Sequence, residues 1–286
     1  MFRLFASIVL SAASFVLAEA PTTQPHAAKG DGKLPYRIVA EERTDPPMRL
    51  WVLQVDLTNP HAAVMLSPGG PDPDGAGPWQ TTLMPVTQVA ERERFDVAVN
   101  ASFFAVDKTG EWQGKGYTTD QPAAAVGWTM TDGKQWSQRE NAWPVLWVDA
   151  NGKAHITATA DINSTAQQMV AGNSYILKDG QAQLPEKGVM TVRHPRTAVG
   201  IDDGGTTLTI LTVDGRQPGR SIGMTGKELA DELRKYNVHT AINLDGGGST
   251  TLVERSRDDG QLKIINKPSE GRERPVANVL GVKVRN

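Results

Sequence analysis

The stretch from Thr206 to Val253 constrains the fold more than any other part of the chain. Residues 206–213 (TTLTILTV) are β-branched and partly alternating, which predicts a strand. Asp214-Gly215-Arg216 ends it. Thr225-Gly-Lys-Glu228 reads as a capping box, in which Thr225 accepts from a first-turn amide and Glu228 reaches back. Leu229, Leu233 and Tyr236 then mark one apolar helix face, and Asn237 suits a left-handed terminator. Residues 239–244 read as a buried strand. Strand, helix and strand within about 40 residues make a βαβ unit at 206–244, whose strands run parallel. With 28 glycines and 18 prolines, long helices throughout are disfavoured and many turns are expected. The expected class is α/β (mixed α+β): a strand-rich single domain with a mixed sheet and flanking helices.

This unit has a chemical consequence. Asp214 and Asp245 each follow the carboxyl end of one of its strands, so both belong to one sheet edge, where ligands of open α/β sheets gather. If those strands are neighbours, about 4.8 Å apart, side-chain splay brings the carboxyls into the ~5–9.5 Å range that glycosidases use. Asp245 and Asp214 are therefore the candidate catalytic pair. Asn243-Leu-Asp-Gly246-Gly247-Gly248-Ser249 places three glycines after a buried strand, which implies that something needs the backbone close by and that amide donors face an anion. No Lys-Ser/Thr follows and GxGxxG is not matched, so nucleotide binding is poorly supported. Ser249 lacks the GxSxG setting of a hydrolase nucleophile.

At the amino end, Met1-Phe2-Arg3 precedes an apolar run through Leu17 and a small-x-small pattern at Ala18-Glu19-Ala20, which reads as a signal peptide over residues 1–20. Val16-Leu17-Ala18 offers an alternative cut. Residues 21–34 read as a flexible linker, and the domain is placed at 35–286. These features imply export to a periplasmic or extracellular setting, with no membrane span after signal cleavage. A formal charge of -2 argues against nucleic acid as a partner. The absence of cysteine removes disulfides, thiolate metal sites and cysteine nucleophiles. Strands are expected at 49–57, 62–66 and 95–99, a turn-rich loop at 68–78 and a helix over 83–94 with Pro85 in its first turn. Residues 109–141 read as loop-rich and carry Trp112, Trp128 and Trp136.

Five segments in order carry a resemblance: Asn100-Ala-Ser-Phe-Phe104, Arg196-Thr-Ala-Val-Gly200, Val213-Asp-Gly-Arg216, Asn243-Leu-Asp-Gly-Gly-Gly-Ser249 and Arg274-Pro-Val-Ala-Asn278. From about residue 50 to the end the chain resembles the phosphodiester glycosidase family. The resemblance implies hydrolysis of a sugar joined through its anomeric carbon to a phosphodiester, in an exported setting such as a cell-envelope glycopolymer or exopolysaccharide. Arg196, Arg216 and Arg274 lie in matched motifs and are phosphate-clamp candidates, because guanidinium grips a phosphate oxygen pair bidentately. Asn100, Asn243, Gly246, Gly247, Gly248 and Ser249 complete the substrate-binding set. Trp112 joins it because an indole face suits a sugar ring.

No cofactor is required by these residues. His26, His61, His155, His194 and His239 show no zinc spacing, while an oxygen-ligand divalent cation stays open. The partner expected is a glycosyl-phosphodiester or polysaccharide substrate. Two other readings compete: a non-catalytic polysaccharide-binding protein, and a cation-dependent phosphodiesterase that cuts phosphorus–oxygen bonds.

Overall fold

The computed structural model describes residues 24–25, 34–138 and 142–285. The expected signal peptide, and the linker apart from residues 24–25 and 34, lie outside the described residues.

Eight-, five-, five- and three-stranded sheets account for most of the ordered backbone. The largest runs, edge to edge, Gln24–Pro25, Tyr36–Thr44, Pro47–Asp56, Thr207–Val213, Arg196–Ile201, Thr240–Asn243, Tyr175–Lys178 and Gln181–Ala182. A second holds Lys134–Gln138, Trp128–Thr131, Ala166–Ala171, Val145–Asp149 and Ala154–Thr157. A third orders Leu262–Ile264, Leu252–Arg255, Val97–Asn100, Asn278–Val284 and Ala62–Pro68. All ladders among the described strands are antiparallel. Two α-helices occur among the described residues, Val86–Glu93 and Gly226–Lys235. The fold is therefore mostly β, which corrects the expected α/β class and its mixed sheet.

The predicted strand-helix-strand elements are present, but the unit they suggested is not closed. Arg196–Ile201 pairs antiparallel with both Thr207–Val213 and Thr240–Asn243, so those two strands share a direction and lie two positions apart. Periodicity marks a strand without naming its neighbour. The capping box forms as predicted: Glu228 N donates to Thr225 Oγ1 at 3.3 Å and Thr225 N to Glu228 Oε2 at 2.9 Å. Asn237 takes the left-handed conformation at φ +61°. Pro85 caps the first helix, which starts at Val86. The segment read as loop-rich contributes Pro122–Ala125, Trp128–Thr131 and Lys134–Gln138 as strands; Trp136 packs on the core and donates Nε1–H to Thr131 Oγ1 at 3.1 Å.

One core is shared by the three larger sheets. Leu53, Val55, Val199, Ile210 and Ile242 come from the first, Leu146, Val148 and Val170 from the second, and Leu66, Val97, Val99, Leu252 and Leu280 from the third. Strand alternation sends Leu50 and Val52 to the opposite face of the first sheet, where Leu229, Ala230 and Leu233 of the second helix cover them. With both faces buried, its central strands carry buried residues at successive positions, as in Thr209–Ile210–Leu211. Val86, Val89 and Ala90 of the first helix cover the outside of the third sheet with Phe95.

Gly281, in the Asn278–Val284 strand, has no room for a side chain, since a Cβ there would collide with the fully buried ring of Phe95. Gly281→Ala is expected to lower stability by about 1–3 kcal/mol through overpacking, read as a drop in the urea midpoint at unchanged slope.

Candidate functional site

The shared strand direction delivers several chemistry-bearing segments to one edge of the largest sheet. Arg196 faces Val213 and Ala198 faces Asn243, so residues 194–195, 214–216 and 245–249 leave the sheet together. The third sheet meets them at Asn100, the last residue of its strand and fully buried. Asn100 Nδ2 donates to the Asp245 carbonyl at 2.6 Å, and Asp245 N donates to the Ala101 carbonyl at 2.9 Å. Asn100 Oδ1 accepts from Thr197 Oγ1 at 2.9 Å and Thr251 N at 3.1 Å. The backbone of Asp245 is thus clamped on both sides.

Its carboxyl is partly buried, and loss of water pushes it up to about 6. Hydrogen bonds from the Ser249 side chain and the Gly246 amide, and the charge of Arg274, act in the opposite direction. Arg274 Nη1 lies 3.4 Å from Ser249 Oγ, Nη2 pairs with Glu270, and the guanidinium sits 4.4 Å over the Tyr117 ring. Gly248 leaves space for Arg274 and Glu270, since a Cβ there would strike both. Gly247 adopts φ +61° and a Cβ on it would stand 3.1 Å from Arg216 Nη2, so the second guanidinium lies over the next glycine. His194 Nδ1 is 3.5 Å from Arg216 Nη2. Burial, then the charges of Arg196 and Arg216, hold the His194 imidazole below its ordinary value and favour its neutral form.

The site therefore gathers Asp245, Gly246, Gly247, Gly248, Ser249, Arg216 and Arg274 from the predicted set. Others are placed differently. Asp214 is 1% exposed, and its carboxylate accepts from Asn266 Nδ2 at 3.1 Å and Lys267 N at 3.0 Å, with Arg220 3.7 Å away. It fastens the 266–267 loop from within, and burial raises its pKa against those partners. A full strand also separates it from Asp245, so the expected adjacent carboxylate pair is not formed. Arg196 is 3% exposed; its guanidinium donates to the carbonyls of Met224 at 3.0 Å, Val192 at 2.8 Å and Val189 at 2.5 Å. An inward-facing strand position explains this, and removes Arg196 from direct phosphate contact.

Asn100 and Asn243 are interior too. Asn243 Nδ2 donates to Asn173 Oδ1 at 2.9 Å, while it is Asn100 that holds the Asp245 carbonyl. Trp112 sits in a 3-10 turn with Lys115 Nζ 4.8 Å over its ring. The amides of Gly247, Ser249 and Thr250 donate to the carbonyls of Pro195, Gly246 and Gly247 at 3.0, 3.2 and 3.3 Å. Guanidiniums, rather than these amides, present the anion-binding donors. Tyr117 and Glu270 join the site without any signal in the sequence beyond the i,i+4 spacing of Glu270 and Arg274.

Among the described residues no group of three or more His, Asp or Glu side chains is arranged to hold a metal ion. No helix there is long and apolar enough to cross a membrane.

The chain is similar to several known proteins. It is 30% identical over 225 residues to the SPbeta prophage-derived uncharacterized protein YomE of Bacillus subtilis (strain 168), covering 74% of this chain and 31% of that protein. It is 28% identical over 204 residues to the N-acetylglucosamine-1-phosphodiester alpha-N-acetylglucosaminidase of Bos taurus, covering 66% of this chain and 36% of that protein. The chain thus spans about a third of the length of these relatives. In fold it is similar to the zebrafish N-acetylglucosamine-1-phosphodiester alpha-N-acetylglucosaminidase catalytic domain auto-inhibited by pro-peptide, with a TM-score of 0.63 at 23% identity over 93% of this chain and 88% of that one. A putative exported protein from Burkholderia pseudomallei K96243 gives a TM-score of 0.62 at 16% identity over 83% of this chain and 74% of that one. A family model described as phosphodiester glycosidase matches residues 93–283, a span that contains Asn100, Tyr117, His194, Arg216, Asp245, Glu270 and Arg274. The chain belongs to the phosphodiester glycosidase family.

Proposed function

We propose that this protein hydrolyses the bond between the anomeric carbon of a sugar and a phosphodiester oxygen, with Asp245 at the anomeric centre. One observation carries this reading: the Asp245 carboxyl, pushed up to about 6, is bonded by Ser249 and faces the charge of Arg274, with Arg216 over the neighbouring Gly247. Asp245 acts ionised, either attacking the anomeric carbon to form a glycosyl ester that water then hydrolyses, or taking a proton from the attacking water. The carbon–oxygen bond breaks and the phosphate leaves as a monoester. Arg216 and Arg274 offer preformed donors to the charge that develops on it. A phosphate is a far weaker base than an alkoxide, so it departs with little acid assistance. One carboxylate at the anomeric carbon therefore suffices where glycosidases acting on ordinary glycosides, whose leaving group is an alkoxide, use two. The apolar amino-terminal pattern supports action outside the cytoplasm, on an envelope glycopolymer or exopolysaccharide.

Asp245→Asn is expected to lower turnover of a sugar-1-phosphodiester at least about 10³-fold with an unchanged circular dichroism spectrum. In oxygen-18 water the label should enter the sugar hydroxyl; label in phosphate would establish phosphorus–oxygen cleavage instead, and no release of sugar from any sugar-1-phosphodiester in a panel would leave only a binding protein.

Because Asp245 works ionised and its carboxyl is pushed up to about 6, kcat/KM should fall about tenfold per pH unit below 6 and level off above it. A pH–rate profile that stays flat down to pH 4.5 would exclude that role.

Asp214→Asn should behave differently. Its amide would face the Lys267 N–H with a donor of its own, so stability should drop by about 1–3 kcal/mol in denaturant melts, while kcat of the folded fraction stays within about threefold of the parent.

A further inference from the structure

Glu270 is the second carboxylate of the cleft, and the mechanism above leaves it unused. It pairs with Arg274, fills the space that Gly248 leaves open, and keeps 39% of its side chain exposed, against 16% for Arg274. A rim ion pair of this kind adds at most about 1 kcal/mol to stability, so folding alone gives little reason for it. Its effect on the charge of the cleft is larger. Arg216 and Arg274 bring two positive charges, and His194 beside them is held toward its neutral form. Asp245 is the reacting group, and the charge of Arg196 lies inside the protein, solvated by three carbonyls. Glu270 cancels one of the two guanidiniums. With Asp245 ionised beside Arg274, the four side chains Arg216, Arg274, Glu270 and Asp245 carry no net charge, so a second negative charge on a ligand meets no free cation.

Building on the proposed hydrolysis, we infer that Glu270 sets the charge the clamp accepts, so that it holds a phosphodiester monoanion and rejects the phosphomonoester dianion that the reaction releases. A diester carries one negative charge; a monoester, with a second ionisation near pH 6, carries nearly two at pH 8. Both would lie on Arg274, within about 5 Å of the Glu270 carboxylate, where one extra like charge changes affinity roughly tenfold at an effective dielectric constant of ~40. The substrate is thereby favoured over its own product, and product release is driven by repulsion rather than by loosening the grip on the substrate.

The test uses the full chain and two probes that differ by one methyl group and one charge, phenyl phosphate and methyl phenyl phosphate, titrated calorimetrically at pH 8. The parent should bind the diester more tightly than the monoester. Glu270→Gln should strengthen phenyl phosphate binding roughly tenfold more than methyl phenyl phosphate binding, and Glu270→Ala, read in the same way, guards against a folding defect in either variant. A purely structural role for the pair would shift both probes alike. If the ratio of the two affinities stays within twofold of the parent while Arg274→Ala abolishes binding of both, the charge filter is refuted and the clamp stands. If neither probe binds any variant, or Arg274→Ala binds both as the parent does, the clamp itself falls and the charge filter with it.

Discussion

The site depends on Asn100. This fully buried side chain is bonded to the largest sheet through Thr197, to the third sheet's edge through Thr251 and to the triglycine loop through the Asp245 carbonyl, so three parts of the molecule meet on one amide. A carboxamide suits that junction because its donor and acceptor sides are both used, where a hydroxyl or an apolar side chain would leave a buried partner unpaired. Sheet packing alone would tolerate small slides between the two sheets. The Asn100 bonds convert that packing into a fixed position for residue 245, and the Ala101–Asp245 backbone bond completes the restraint.

Around that fixed point the charges are layered by depth. Arg196 lies deepest, where burial pulls its pKa down to about 10, still far enough above neutrality to keep it charged. Its three carbonyl partners take the place of water. Arg216 lies nearer the cleft, and His194, in contact with it, is held toward its neutral form by burial and by both arginines. A neutral imidazole can accept from guanidinium at Nδ1, whereas an imidazolium would repel it. Buried Arg196 thus acts on the cleft through the state of its neighbour without touching any ligand.

Much of this was legible in the sequence, and the failures have a common cause. The capping box at Thr225, the left-handed Asn237 and the triglycine bend after Leu244 are local signals, and local structure follows them. The shared edge of residues 214 and 245 also followed from strand direction. What could not be read was the neighbour between them: residues 196–201 precede both strands in the chain, and no periodicity announces that they insert there. That insertion separated Asp214 from Asp245 and turned Arg196 inward. Motif membership located Arg196 and Arg216 equally well, yet one guanidinium faces carbonyls and the other faces the triglycine loop. Tyr117 and Glu270 lie on irregular segments, where position is decided by tertiary contact, with Arg274 for both and with Phe104 for Tyr117.

The protonation of Asp245 ties the chemistry to the stability of the fold. A carboxyl raised in the folded state binds its proton more tightly there than in the unfolded chain, so its effect on stability is most favourable at low pH and is lost as pH rises from about 4 to about 6. Above that range the ionised group burdens the native state by about 1–3 kcal/mol relative to an exposed aspartate. Ser249, the Gly246 amide and Arg274 keep this penalty from growing larger. Stronger pairing would lower the penalty further, but it would also make the carboxylate a weaker base and a weaker nucleophile. A carboxyl held at about 6 sits between those two demands.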